Sequence, residues 1–144
     1  MLAKQSGCNV SKVSAGYTNH QVVGLAGFLQ LCIGIEIIEA NIDRSVCKLV
    51  LNETHLNGLG LVNGGVLFTL GDLALAVAAN ADGSSSVTLN STIDFIKSVS
   101  SGTIIAVATP IKKGRTISRY KVEVTHEETS QLIAILNATS FTVK

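Results

Sequence analysis

The run that opens at Asn63-Gly64-Gly65 and continues from Val66 to Asn80 limits this chain more than any other part of it. Residues 66–80 are helix formers, too long a run for one strand, and Asn63 is placed to cap the helix with its side-chain oxygen. Apart from Thr69 and Asp72 the helix is apolar on nearly every face. Such a helix belongs in an interior, so the rest of the chain must supply what encloses it.

Strands supply it. Two β-branched runs, 35–40 and 44–51, are separated by Asn41-Ile42-Asp43 and read as a hairpin ahead of the helix. After a Gly and Ser loop at 82–86, four more strands are expected at 87–97, 103–112, 116–125 and 131–143. In the third of these Tyr120, Val122 and Val124 alternate with Arg119, Lys121 and Glu123, the pattern of a strand with one packed and one wet face. Pro110 falls near a strand end, where a missing donor is tolerated. Helical spacing also predicts a short N-terminal helix over 21–32, ended by Gly34, behind an irregular lead-in over 1–20. The expected class is α+β: one long buried helix between an early hairpin and a four-strand antiparallel meander, the sheet wrapped around the helix. With 144 residues the chain suits a single domain, here 21–144.

Apolar residues reach 47% and charged ones only 15%, against about 25% charge in an average globular protein. The apolar excess implies burial against other copies of the chain. A net charge of +1 gives no field to draw nucleic acid, and no such partner is expected. Cys8, Cys32 and Cys47 are odd in number and lack metal-ligand spacing, which fits reduced thiols in a cytoplasm. Residues 1–13 hold no apolar signal core; 21–35 is too short to span a bilayer, and 63–81 carries Asp72 at its centre, so no membrane partner is expected.

The chemistry is concentrated before and within the helix, in His55-Leu56-Asn57-Gly58-Leu59-Gly60-Leu61-Val62-Asn63-Gly64-Gly65 and in Asp72. Glycines deny side chains to the loop and leave N–H groups facing whatever lies over the helix N-terminus, a place for a negative oxygen. Asp72 lies about two turns further along, too far to cap and costly to bury without purpose. An interior carboxylate beside oxyanion donors is what thioester hydrolysis requires: a base or nucleophile for attack, and dipoles for the oxygen of the tetrahedral intermediate. No GxSxG elbow is present to support a serine mechanism, and neither metal nor cofactor is expected.

These residues resemble the PaaI-like branch, named for the phenylacetate pathway, of the hotdog-fold acyl-CoA thioesterases. That family reads H-x-N-x-x-G-x-x-H-G-G and then a helix with Asp seven residues beyond the last Gly; His55, Asn57, Gly60, Gly64, Gly65 and Asp72 fall on it. The likeness runs from roughly Phe28 onward. It implies hydrolysis of an acyl-CoA to a free acid and coenzyme A, with Asp72 as general base or nucleophile and the Gly64 N–H polarising the thioester carbonyl. It further implies that Asn57 positions the carbonyl or the attacking water and that Thr88 helps hold the water. Gly65, Asn63 and His55 join them as substrate-binding candidates, and Lys112, Lys113 and Arg115 match a region that meets the nucleotide end of coenzyme A. It also implies homodimers with helices side by side and sites shared between subunits, commonly paired into homotetramers. Asn63 departs from the pattern, standing where the family has a His, and an amide cannot titrate.

Plainer readings of the same residues stay open. Asp72 can be a structural carboxylate satisfied across an interface, His55 a strand-end residue holding loop backbone, and Lys112 to Arg115 a solvated hairpin tip. Asn57 and Thr88 are also ordinary turn and strand formers. Two other functions fit the resemblance: a non-catalytic acyl-CoA binding or sensing module, and a hotdog hydratase or dehydratase, which would pair a His with its acid.

Overall fold

In this computed structural model residues 32–143 are described, so the lead-in over 1–20 and all but the last residue of the helix expected over 21–32 lie outside them. β1 (Glu36–Ala40) and β2 (Ser45–Val50) form the early hairpin. Asn41 turns it, its Oδ1 accepting the N–H groups of Asp43 and Arg44 at 3.0 and 2.7 Å. A 3-10 turn, Glu53–His55, and a loop lead into α1 (Gly64–Asn80), followed by β3 (Ser85–Phe95), β4 (Thr103–Lys112), β5 (Ile117–His126) and β6 (Leu132–Val143). Each of these helix and strand spans lies within two residues of its expected bounds. Pro110 is accommodated by a bulge between Pro110 and Lys112.

The strands make one six-stranded antiparallel sheet in the order β1-β2-β4-β5-β6-β3. This corrects the expected four-strand meander. β4, β5 and β6 do run as neighbours, but β3 pairs with β6 and forms an edge, and the chain then returns to β4 beside β2. The segment 96–102 is therefore a crossing and not a turn. It passes the start of α1, held by Val62 N–H to the Val99 carbonyl at 2.8 Å and by Leu51 N–H to the Gly102 carbonyl at 2.9 Å.

Between helix and sheet lies the core. Cys47, Leu49, Ile104, Ala106, Val122, Val124 and Leu136 of the sheet meet Leu67, Leu70, Leu73, Ala74 and Val77 of α1, all buried. Two contacts set how closely the helix approaches. A Cβ on Gly71 would stand 2.6 Å from Leu136 Cδ2, and the buried Ser45 hydroxyl donates to the Ala74 carbonyl at 2.5 Å. Burial pushes the Cys47 thiol up to about 12.

The helix is not enclosed all round, a second correction. Gly65 and Phe68 remain exposed and Thr69, Asp72 and Ala76 half-buried. These recur at three and four residues, one stripe along the axis, because a single curved sheet can wrap only one side of a helix. The edge strand β3 is similarly unfinished. Val87, Leu89 and Phe95 are exposed, and one side of its backbone has no neighbouring strand among the described residues. No helix among the described residues is long and apolar enough to cross a membrane.

Candidate active site

Asn63 performs the capping expected of it. Its Oδ1 accepts the Gly65 N–H at 2.8 Å, and its carbonyl accepts the N–H groups of Val66 and Leu67 at 3.0 and 3.2 Å. Gly65 therefore has no N–H to offer a ligand. Among the described residues the Gly64 N–H has no partner and stands open at the positive end of the helix.

The loop before it is folded by Asn57, whose Oδ1 accepts the N–H groups of Leu59 and Leu61 at 2.9 and 3.2 Å while its carbonyl accepts from Gly60. Gly60 sits at φ +72°, a conformation few other residues adopt readily. With its carbonyl oxygen spent on the loop, Asn57 has its side-chain NH₂ to donate.

His55 takes the loop-holding alternative. It is 2% exposed; its Nδ1 accepts the Asn52 N–H at 3.0 Å, and its Nε2 lies 2.8 Å from the Ile33 carbonyl, so Nε2 carries the proton and donates. Its own carbonyl accepts the Asn63 N–H at 2.9 Å. The ring thus fixes the position of the helix cap and does not line the cavity in front of it.

Asp72 accepts a hydrogen bond from Thr88 Oγ1 at 2.9 Å, so two of the expected residues are brought together. It lies on the open stripe of α1 and not in the interior expected for it. Eight residues at 1.5 Å each separate it from Gly64 by about 12 Å along the axis. A single chain consequently presents the carboxylate and the free N–H at two places, too far apart to act on one carbonyl.

What reaches Thr88 across from Asp72 depends on a bulge. Thr88 pairs with Ser140 but Asn90 with Thr139, leaving Leu89 as an extra residue. The bulge shifts the alternation by one, so Thr88 before it and Ser91, Ile93 and Phe95 after it all face the helix. Ser91 Oγ is buried without a hydrogen-bond partner among the described residues. Phe95 lies against Gly64: a Cβ there would stand 2.9 Å from the ring's Cζ. The ring, with Val62, Gly64, Leu67, Ile96 and Lys97, borders a cavity of about 350 Å³. Ser91 and Phe95 were not among the candidates read from the sequence.

Lys113 and Arg115 line a second cavity, of about 280 Å³, with Asp82, Ser84, Ser86 and Tyr120. Lys112 is not on it and pairs in register with Arg119. The Ser84 hydrogen bonds hold the Asp82 carboxyl below its usual range, with Lys113 adding its charge; burial raises the Tyr120 phenol, and Asp82 raises it further. Ala79 borders this cavity, which puts it at the far end of α1, about 22 Å from Gly64 by helical rise. Among the described residues no group of three His, Cys, Asp or Glu is arranged to hold a metal ion.

The model of the thioesterase superfamily matches residues 59–133. Acyl-coenzyme A thioesterase PaaI of Escherichia coli is 32% identical over 97 residues, covering 67% of this chain and 69% of that one. The solved structure of the E. coli PaaI protein from the phenylacetic acid degradation operon superposes with a TM-score of 0.78 at 26% identity, over 87% of this chain and 95% of that one. A hypothetical thioesterase of Streptococcus pneumoniae, solved with coenzyme A, superposes with a TM-score of 0.72 at 25% identity, over 76% of this chain and 86% of that one.

Proposed function

This chain belongs to the thioesterase superfamily as a PaaI-like hotdog protein, and from that premise we propose that it hydrolyses acyl-CoA to a free carboxylic acid and coenzyme A at a site shared by two copies. The observation that carries this reading is the separation of the Gly64 N–H, unpartnered among the described residues, from the Asp72–Thr88 pair along one helix. Two helices laid antiparallel along their open stripes bring Gly64 of one against Asp72 of the other. The same arrangement carries Lys113 and Arg115 of one copy toward Gly64 of the other, where they meet the coenzyme's phosphates.

In this mechanism Asp72 takes a proton from a water held with Thr88, and the water oxygen attacks the thioester carbon. The developing oxyanion is stabilised by the Gly64 N–H and the Asn57 NH₂. Collapse of the intermediate breaks the C–S bond, and coenzyme A leaves as a thiolate that takes up a proton. No cofactor is needed. Residues 21–144 act as one domain behind the lead-in, and the free thiols of Cys32 and Cys47 fit a reducing cytoplasm.

The test is thiol release over a panel of acyl-CoAs by the wild type and by Asp72→Asn. Loss of general-base catalysis lowers turnover by about 10²–10⁴-fold; survival within a few-fold sinks the assignment. One observation favours the sensing module instead: the Asn63 side chain is spent on the helix cap where the family has a titrating His. Tight acyl-CoA binding with no turnover, and activity gained by Asn63→His, is the result that selects it.

A further inference from the structure

The bulge at Leu89 turns Phe95 toward the helix, and the ring comes to rest on Gly64, whose N–H has no hydrogen-bond partner among the described residues. A Cβ on Gly64 would lie 2.9 Å from Cζ and 3.2 Å from Cε1, so the ring edge is in contact with the backbone beside that donor. The strand cannot easily carry the ring away. Directly after Phe95, the N–H groups of Ile96 and Lys97 both donate to the Ile133 carbonyl, at 2.8 and 3.1 Å, and Phe95 itself is in register with the buried Ala134.

The ring is nevertheless 58% exposed and borders the cavity that Val62, Gly64 and Leu67 also line. That cavity, about 350 Å³, holds roughly a dozen waters' worth of volume. A thioester seated on the Gly64 N–H would take up part of that volume, and the remainder would suit a compact acyl group better than a long chain.

We propose that Phe95 determines acyl specificity, its ring closing the space beside the Gly64 N–H so that compact acyl groups are accepted and long straight chains refused. This rests on the reading of Gly64 as the donor to the thioester carbonyl. A carbonyl oxygen on that N–H places the first acyl carbons within van der Waals reach of the ring, so chain length is sensed at the reacting end.

The experiment measures kcat/KM for straight-chain acyl-CoAs from acetyl to palmitoyl with the wild type, Phe95→Leu and Phe95→Ala, and calorimetric affinities for the same series. The wild type should favour the short end. Phe95→Ala should raise the long-to-short ratio of kcat/KM by about 10–200-fold, the range set by filling or clearing small apolar volumes, with Phe95→Leu between. Identical length profiles in wild type and variants overturn the proposal. Should Phe95→Ala fail to fold, Phe95→Leu alone decides by the same criterion. A wild type that turns over no acyl-CoA removes the hydrolase reading, and the length dependence of affinity then decides the role of Phe95 separately.

Discussion

Across β2, β4 and β5 the helix-facing Cys47, Ala106, Val122 and Val124 are wholly buried, whereas on β3 Val87, Leu89 and Phe95 are each more than half exposed. Both regions belong to one sheet around one helix. The first is completed by the chain itself, with small side chains admitting α1 closely and no polar group left over except those tied down, such as Ser45 to the Ala74 carbonyl. The second is left open among the described residues, with an unpaired strand edge, an uncovered stripe on α1, a free N–H at Gly64 and a buried hydroxyl at Ser91 without a partner. Stability is concentrated in the closed region, and the groups able to do chemistry or to meet another copy in the open one.

Neighbouring residues sharpen the contrast most. Leu73 is 1% exposed and Asp72 beside it lies on the open stripe. Leu73→Ala should cost about 2–5 kcal/mol in urea unfolding at fixed protein concentration, while Asp72→Asn, the substitution expected to lower turnover, should change stability by no more than about 0.5 kcal/mol. Equal destabilisation by the two would dissolve the distinction between the regions.

Cys47 gives the closed region a pH signature. The folded thiol keeps its proton up to about 12, against an ordinary value of 9.0. Its contribution is fully present below the ordinary value and is lost as pH rises toward the folded one, at about 1.4 kcal/mol per pH unit above 9. Denaturation midpoints of wild type and Cys47→Ala between pH 8 and pH 11 (roughly the window set by that shift) should show the steeper fall only in the wild type; parallel slopes would mean the thiol is reached by water.

In the open region Val87→Lys places a charge on the exposed edge strand and should weaken self-association by about tenfold, near 1.4 kcal/mol, with little change in the secondary structure of the chain. Sedimentation equilibrium reads this directly, and an unaltered mass distribution would remove β3 from the contact. The smallest effect is expected at the basic turn. Arg115→Ala should raise KM for acyl-CoA about three- to tenfold with kcat nearly unchanged, more at low salt than at high; a fall in kcat instead would put Arg115 near the reacting carbon.

Much of this was legible in the residues. The length and apolarity of 66–80 announced α1, alternation marked the strands, and Asn63 before two glycines marked the cap. Pairing was not legible, because periodicity records which face a strand buries and not which strand lies beside it; β3 at the edge next to β6 could not be told from β3 next to β4. The open stripe of α1 was hidden for a related reason. Phe68 and Ala76 are as apolar as the residues the sheet covers, so composition marks the helix for burial without saying by what. Of the site, Asp72 and the glycine loop stood out as a charge in an apolar run and side chains withheld before a helix. Phe95 did not: Val87, Leu89, Ile93 and Phe95 share one parity and look like a single face, and only the bulge splits them.

That extra residue makes β3 one residue longer than the stretch of β6 it pairs with, and the surplus is absorbed at a single point. Deleting Leu89 would restore unbroken pairing with β6 and keep every face, because Thr88 already pairs with Ser140, Asn90 with Thr139 and Ser91 with Ala138, and Ser91, Ile93 and Phe95 would still face α1. An insertion beyond Ser91, by contrast, would either form a second bulge or exchange the faces of the residues after it, turning Phe95 outward. The surplus residue at Leu89 can therefore be lost without re-aiming Phe95, whereas other changes of length fall more easily outside the strand, in the 96–102 crossing or the 81–84 loop, where no face depends on the count.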